Sequence, residues 1–191
     1  MKLILASASP RRKTLLKELF PDFEVRPADI EEVALKGETP LQSAERLAME
    51  KALKARETWK EGFILAADTL VTINGIAFGK PKDPDDAERM LKALMGKTHC
   101  VITAFCIIDA LSKKALVRSV ESRVTIKNLS HEEIRAYIES KEPFDKAGAY
   151  AVQEKGGMFV EKVEGSYTNV VGLPMDEVRE SFKKLGVTVE E

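Results

Sequence analysis

The chain has 191 residues, 44% of them hydrophobic, enough for one domain, or one with two lobes, whose core needs no disulfide or structural metal. With 30 basic and 31 acidic residues the formal net charge is -1, which argues against the basic footprint of a nucleic-acid binder and against a polybasic membrane tether. Charged residues make up 32% of the chain, a fraction that both heat-tolerant ion-pair networks and ordinary solvated helices produce.

Lys2 to Ala6 reads as a short buried strand, followed by an amphipathic helix through Leu15, Leu16, Leu19 and Phe20. Ser9 is a natural N-cap for that helix, with Pro10 at its first position. The opening MKLILASASPRR has too short an apolar run for a secretory signal, and no run reaches membrane-spanning length. A cytoplasmic protein is expected. Thr39-Pro40 repeats the start signal for a helix carrying Leu47, Leu53 and Trp59. Phe63 to Ile73 is an apolar run interrupted at Asp68, and Asn74-Gly75 turns it into Ile76 to Phe78.

Asp83-Pro84 opens a helix with Met90, Leu91 and Leu94 on one face and Gly96 at its C-terminal cap. Val101 to Ile108 and Leu116 to Ile126 read as paired strands around Leu111 to Lys114. Ser130 with Glu133 makes a capping box for a helix to about Ser140. Lys146 to Leu173 is glycine-rich, with turns at Gly156-Gly157 and around Gly165, and a last helix runs from about Asp176 to Leu185. Irregular alternation with two hairpins predicts an α/β protein with a mixed sheet. Cys100 and Cys106, six residues apart, share one strand face as small buried residues. With His99 and His131 they complete no plausible zinc set.

Four constellations carry chemistry. Ser7-Ala8-Ser9-Pro10-Arg11-Arg12 joins a strand to a helix start, where free N–H groups, hydroxyls and forked guanidinium groups suit phosphate, unless this is only a capped helix with solvated arginines. Asp68, a lone carboxylate in an apolar run, needs a metal ion, a nearby lysine or a role in proton transfer; otherwise it caps a turn at a strand end. Lys80, between Gly79 and Pro81, is restricted to extended or turn backbone and suits a phosphate, although such loops are often plain surface. Glu31-Glu32 can supply metal ligands or form a solvated turn, and Lys51 is ambiguous alone. Together these are the parts that phosphoryl chemistry on a triphosphate needs. GxxxxGK[ST] and GxSxG are both absent.

The blocks LASASPRRKTLL, RLAMEKA, AADTLV, GKPKDPDDAERML, GKTHCVITAF, EPFDKAGAYAVQ and GSYTNVVGLPM, in this order, resemble the Maf family of nucleotide pyrophosphatases. The resemblance implies one domain over residues 1–191, an elongated mixed sheet with flanking helices, and two lobes around a central cleft, as in the inosine triphosphate pyrophosphatases. It also implies hydrolysis between the α- and β-phosphates with a divalent cation, Mg²⁺ or Mn²⁺. By resemblance Asp68 is the general base, and Glu31, Lys51 and Lys80 match positions that bind metal or phosphate, with Glu31 and Asp68 as the metal ligands; Ser7, Ser9, Arg11 and Arg12 are the phosphate donors of the helix start. Arg11, Thr69 and Gln153 match the branch that favours dTTP and UTP over 7-methyl-GTP.

The Gln153 amide carries a donor and an acceptor, which fits the edge shared by uracil and thymine. The chain departs from the family pattern at Ala151-Val152-Gln153-Glu154, where Gly-Ile-Gln-Gly would be expected, and Glu154 adds a charge beside Gln153. The expected partner is the nucleotide, with neither nucleic acid nor membrane; a homodimer is left open. Two alternatives stand beside this one. They are a non-enzymatic nucleotide-binding regulator of septum formation and a house-cleaning enzyme for modified nucleotides such as 5-methyl-UTP or pseudo-UTP.

Overall fold

A computed structural model describes residues 1–189. In chain order the elements are β1 (Leu3–Leu5), α1 (Pro10–Lys17), β2 (Glu24–Val25), α2 (Pro40–Arg56), β3 (Phe63–Ile73), β4 (Ile76–Phe78) and α3 (Pro84–Leu94). They continue with β5 (Thr98–Asp109), β6 (Ala115–Ile126), α4 (His131–Glu139), β7 (Val160–Glu164), α5 (Tyr167–Val171) and α6 (Met175–Lys184). The strands form one sheet in the order β2-β1-β3-β5-β6-β7, with β4 beside β3. β1 runs parallel to β2 and β3, whereas β3–β4 and β6–β7 are antiparallel. The sheet is mixed, as the irregular alternation of elements predicts. Among the described residues no helix is long and apolar enough to cross a membrane.

The chain divides into two compact units, and the division falls inside β3, β5 and β6. The first holds Met1–Asp68, Thr103–Val120 and the chain from Gly172 on. Its β1 is buried on both faces, with Ile4 opposite Ile64 of β3. Leu16 of α1, Leu47 of α2 and Phe182 of α6 are buried in the same core. Phe182 stands edge-on to both Phe20 and Phe63, at 4.7 and 5.7 Å between ring centroids. Each such side chain contributes roughly 1.5–3 kcal/mol by leaving water.

The second unit holds Thr69–Ile102 and Glu121–Val171. Its core gathers Val71, Phe78, Met90, Leu91, Leu94, Val101, Ile126, Ile134 and Phe159. Asn74 and Gly75 both have positive φ, 51° and 77°, which the β3–β4 turn requires. Gly96 has φ 66°, and a Cβ there would fall on the Asn128 side-chain amide, so α3 ends where the sequence predicts.

Four expectations change. α1 stops at Lys17, so Leu19 and Phe20 are buried from the turn that follows it. α2 ends at Arg56, leaving Trp59 beyond the helix under the Arg26 guanidinium. Leu53 is exposed, because the buried stripe of α2 runs through Ala44, Leu47, Ala48, Lys51, Ala52 and Ala55. Cys106 is buried but Cys100 is only half-buried, with its thiol directed to Glu121 at 3.6 Å. Burial raises Cys100 to about 11 and Cys106 to about 12, so neither supplies a thiolate at neutral pH. Within the glycine-rich stretch, β7 forms between the two expected turns and α5 follows the second.

Candidate active site

In the first unit, the entry to α1 is built as its sequence predicts. Ser9 caps the helix, its hydroxyl accepting the Arg12 amide at 3.4 Å, and Pro10 begins it. Ser7 is buried at the end of β1, and its hydroxyl accepts from the Ser9 amide at 3.3 Å and from Arg12 Nη1 at 3.2 Å. Arg12 is not a solvated arginine. Its Nε donates to the Gly172 carbonyl at 2.7 Å and its Nη1 to the Ala67 carbonyl at 2.8 Å. Burial lowers the Arg12 pKa from its ordinary value, opposed by the charges of Asp68 and Glu32. Arg12 therefore ties the start of α1 to the main chain just before Asp68. Arg11, beside it, is half-buried on the first turn of the helix.

Asp68 is 5% exposed near the middle of β3. Its Oδ1 accepts from Lys51 Nζ at 2.6 Å, and its buried Oδ2 has no hydrogen-bond partner among the described residues. Lys51 is itself buried on the apolar stripe of α2 and also meets Glu32 Oε1 at 2.7 Å. One ammonium thus joins two carboxylates from separate segments. Of the adjacent glutamates, both exposed, Glu32 is the one on Lys51. Among the described residues no three His, Cys, Asp or Glu side chains gather into a complete metal cage.

Arg46 stands in the RLAMEKA block, where no motif marks it. Its Nη2 donates to the Val33 carbonyl at 2.8 Å and to Glu38 Oε2 at 2.9 Å, and its Nη1 to Glu50 at 3.1 Å. Glu38 in turn accepts the Leu35 amide at 3.1 Å. Its hydrogen bond to Arg46 holds the Glu38 carboxyl down at about 2. The loop after Glu32 is thereby fastened to α2 one turn before Lys51. No spacing rule marks such a residue; its role exists only once the loop folds back on the helix.

In the second unit, Thr69 follows on β3 and is half-buried, Lys80 is exposed beside buried Pro81, and Gln153 is half-buried outside any helix or strand. The loop at Gly79 is held through its carbonyl, which accepts the Gly148 amide at 3.0 Å. His99 is buried, and its Nε2 lies 2.6 Å from the Tyr150 hydroxyl. Burial depresses the His99 pKa from 6.5 to about 4. The unfolded chain therefore takes up this proton first as the pH falls. The stability this neutral histidine carries is complete above about pH 6.5 and is lost down to about pH 4, up to about 3 kcal/mol. Thermal melts between pH 7 and pH 4 should show this slope, and His99→Gln should make it shallower by about one proton.

Residues 2–185 match the family model described as Maf-like protein. The chain is 50% identical over 184 residues to a protein of Geobacter sp. (strain M21) named dTTP/UTP pyrophosphatase, covering 96% of this chain and 95% of the relative. A Syntrophus aciditrophicus (strain SB) protein of the same name is 45% identical, covering 97% of this chain and 90% of the relative. Among solved structures, the Ham1 protein of Staphylococcus aureus aligns with a TM-score of 0.56 at 16% identity, covering 98% of this chain and all of that one. A HAM1 protein from Coxiella burnetii also gives 0.56 at 16% identity, covering 96% and 99%. At that identity these two show a shared fold.

Proposed function

The chain belongs to the Maf-like family, and from that premise we propose that it is a nucleoside triphosphate pyrophosphatase that converts dTTP and UTP to the monophosphate and pyrophosphate. The observation that carries the reading is Asp68, a buried carboxylate with one oxygen on Lys51 and the other without a hydrogen-bond partner among the described residues. That second oxygen is the base: it accepts a proton from water while the water oxygen attacks the α-phosphorus and the α–β bridging oxygen leaves with pyrophosphate. Lys51, 2.6 Å from Oδ1, orients the Asp68 carboxylate. At the start of α1, Ser7, Ser9, Arg11 and Arg12 bind phosphate oxygens through hydroxyls, guanidinium groups and helix N–H groups.

The donor set fits a divalent cation, Mg²⁺ or Mn²⁺. Such ions take one or two protein carboxylates and complete their shell with water and substrate phosphates, so no closed protein cage is needed. Asp68 and Glu31, next to the Lys51-bound Glu32, are the residues that would hold it. When bound it would neutralise phosphate charge and polarise the attacked centre. In the second unit, Lys80 neutralises phosphate charge, and Thr69 and Gln153 read the base. Modified uridine nucleotides that keep the same edge fall within this reading. Residues 1–191 act as one catalytic domain in the cytoplasm, with nucleotide as the partner and with neither nucleic acid nor membrane involved; a homodimer is compatible with it.

The test is a substrate panel on one preparation. kcat/KM should be higher for dTTP and UTP than for CTP, ATP and GTP. Chelator should stop the reaction, and Mg²⁺ or Mn²⁺ should restore it. Equal values for UTP and CTP would remove the base assignment, and full activity in EDTA would remove the metal.

A further inference from the structure

The direction in which Gln153 points depends on what fixes the backbone around it, because residues 151–153 lie in neither helix nor strand. Glu154, next in the chain, has φ 62° and ψ -154°. That region is populated almost only by glycine, and another residue stays there only where its surroundings over-determine the backbone. Here they do. Glu142 begins a 3₁₀ turn over Glu142–Asp145. Its Oε1 accepts the Gly156 amide at 3.0 Å and the Tyr137 hydroxyl at 3.0 Å, and its Oε2 accepts the Lys155 amide at 3.3 Å. The two amides that follow the strained residue are thus held on one carboxylate.

Lys146, 4% exposed, closes the arrangement from the same turn. Its Nζ donates to the Glu142 carbonyl at 2.8 Å and to Asp145 Oδ1 at 2.7 Å, and lies 3.5 Å from the Glu154 carboxylate. The half-buried Glu142 carboxylate thus holds the backbone just after the Glu154 kink, and the buried Lys146 ammonium ties the Glu142 carbonyl and lies beside the Glu154 side chain. Base reading by a single amide demands such fixing, since a donor and an acceptor displaced by about 1 Å no longer discriminate.

We propose that Glu142, supported by Lys146, is a specificity-positioning residue: it clamps the turn that carries Gln153 so that its amide meets the base in one orientation. The proposal rests on the base-reading role given to Gln153 above. Glu142 acts through the turn and takes no part in the bond-breaking step.

The experiment compares kcat/KM for UTP and CTP in the parent, Gln153→Ala, Glu142→Ala and Glu142→Gln, with amide hydrogen exchange at Lys155 and Gly156. Gln153→Ala and Glu142→Ala should each shrink the UTP-to-CTP ratio ~10-fold, the loss in Glu142→Ala falling on KM for UTP with kcat little changed. Exchange at Lys155 and Gly156 should accelerate in Glu142→Ala and stay slow in Gln153→Ala. Glu142→Gln keeps an acceptor for Gly156 and Tyr137 and should recover most of the ratio. A folded Glu142→Ala protein with the parental ratio, beside a Gln153→Ala protein that has lost it, overturns the positioning role alone. A parental ratio in Gln153→Ala overturns the base-reading role and, with it, this proposal. If Glu142→Ala does not fold, Glu142→Asp decides by the same ratio, because it keeps the charge but withdraws the carboxylate by one methylene. A parental ratio there overturns the proposal.

Discussion

Asp68→Asn should lower kcat for UTP by ~10²–10⁴-fold, the usual loss when a general base is removed, in a protein that still folds. An asparagine can offer its oxygen to Lys51, which also keeps Glu32 at 2.7 Å. Its amide nitrogen then takes the place of the buried Oδ2, where it can accept no proton from water. The stability cost should be about 1–3 kcal/mol, that of replacing the charged acceptor on Lys51 with a neutral one in a buried site. Circular dichroism and a cooperative melt establish the fold, and pyrophosphate release gives kcat. Near-parental turnover would take the base role from Asp68.

Lys51→Met should give the largest loss of stability. It leaves Asp68, 5% exposed, without its ion-pair partner and releases Glu32 from α2. Removing one partner of a buried ion pair costs about 3–5 kcal/mol, which for a chain of this size lowers Tm by ~10 °C. Activity should fall as well, since the carboxylate loses the group that orients it. The double variant Lys51→Met with Asp68→Asn should be less destabilised than the two single losses together, because no buried charge is left alone. A Lys51→Met protein that melts with the parent would show that the pair contributes nothing to the fold.

Much of the fold was legible because its signals are local. Ser9-Pro10, Thr39-Pro40 and Ser130 with Glu133 each place a helix start within a residue, since a cap satisfies backbone donors a few positions away. The apolar run of β3, broken at Asp68, and the Asn74-Gly75 turn are equally local. What could not be read depends on partners distant in the chain. β7, with Val160 and Val163 half-buried in an otherwise exposed strand, is a strand because β6 pairs with it, Val124 opposite Val163. Leu53 belongs to the apolar composition of α2 but lies off its buried stripe.

The same division runs through the candidate site. Asp68 stood out as a carboxylate in an apolar run, and that oddity alone demanded a partner. Which partner, Lys51 seventeen residues earlier, needed the packing of α2 against β3. That Glu32 meets Lys51 depends on a loop that Arg46 and Glu38 fasten to α2. Arg12 looked like one of two equivalent arginines, but its donors reach carbonyls 55 and 160 residues away.

One measurement tests the central claim most directly. Purified protein is incubated with UTP and Mg²⁺, and UMP, UDP, pyrophosphate and orthophosphate are each quantified. UMP and pyrophosphate should appear in equal amounts, without UDP, and at a greatly reduced rate with Asp68→Asn. UDP with orthophosphate would place cleavage at the other anhydride bond, and binding of UTP without turnover would make this a nucleotide-binding protein and contradict the assignment of an enzyme.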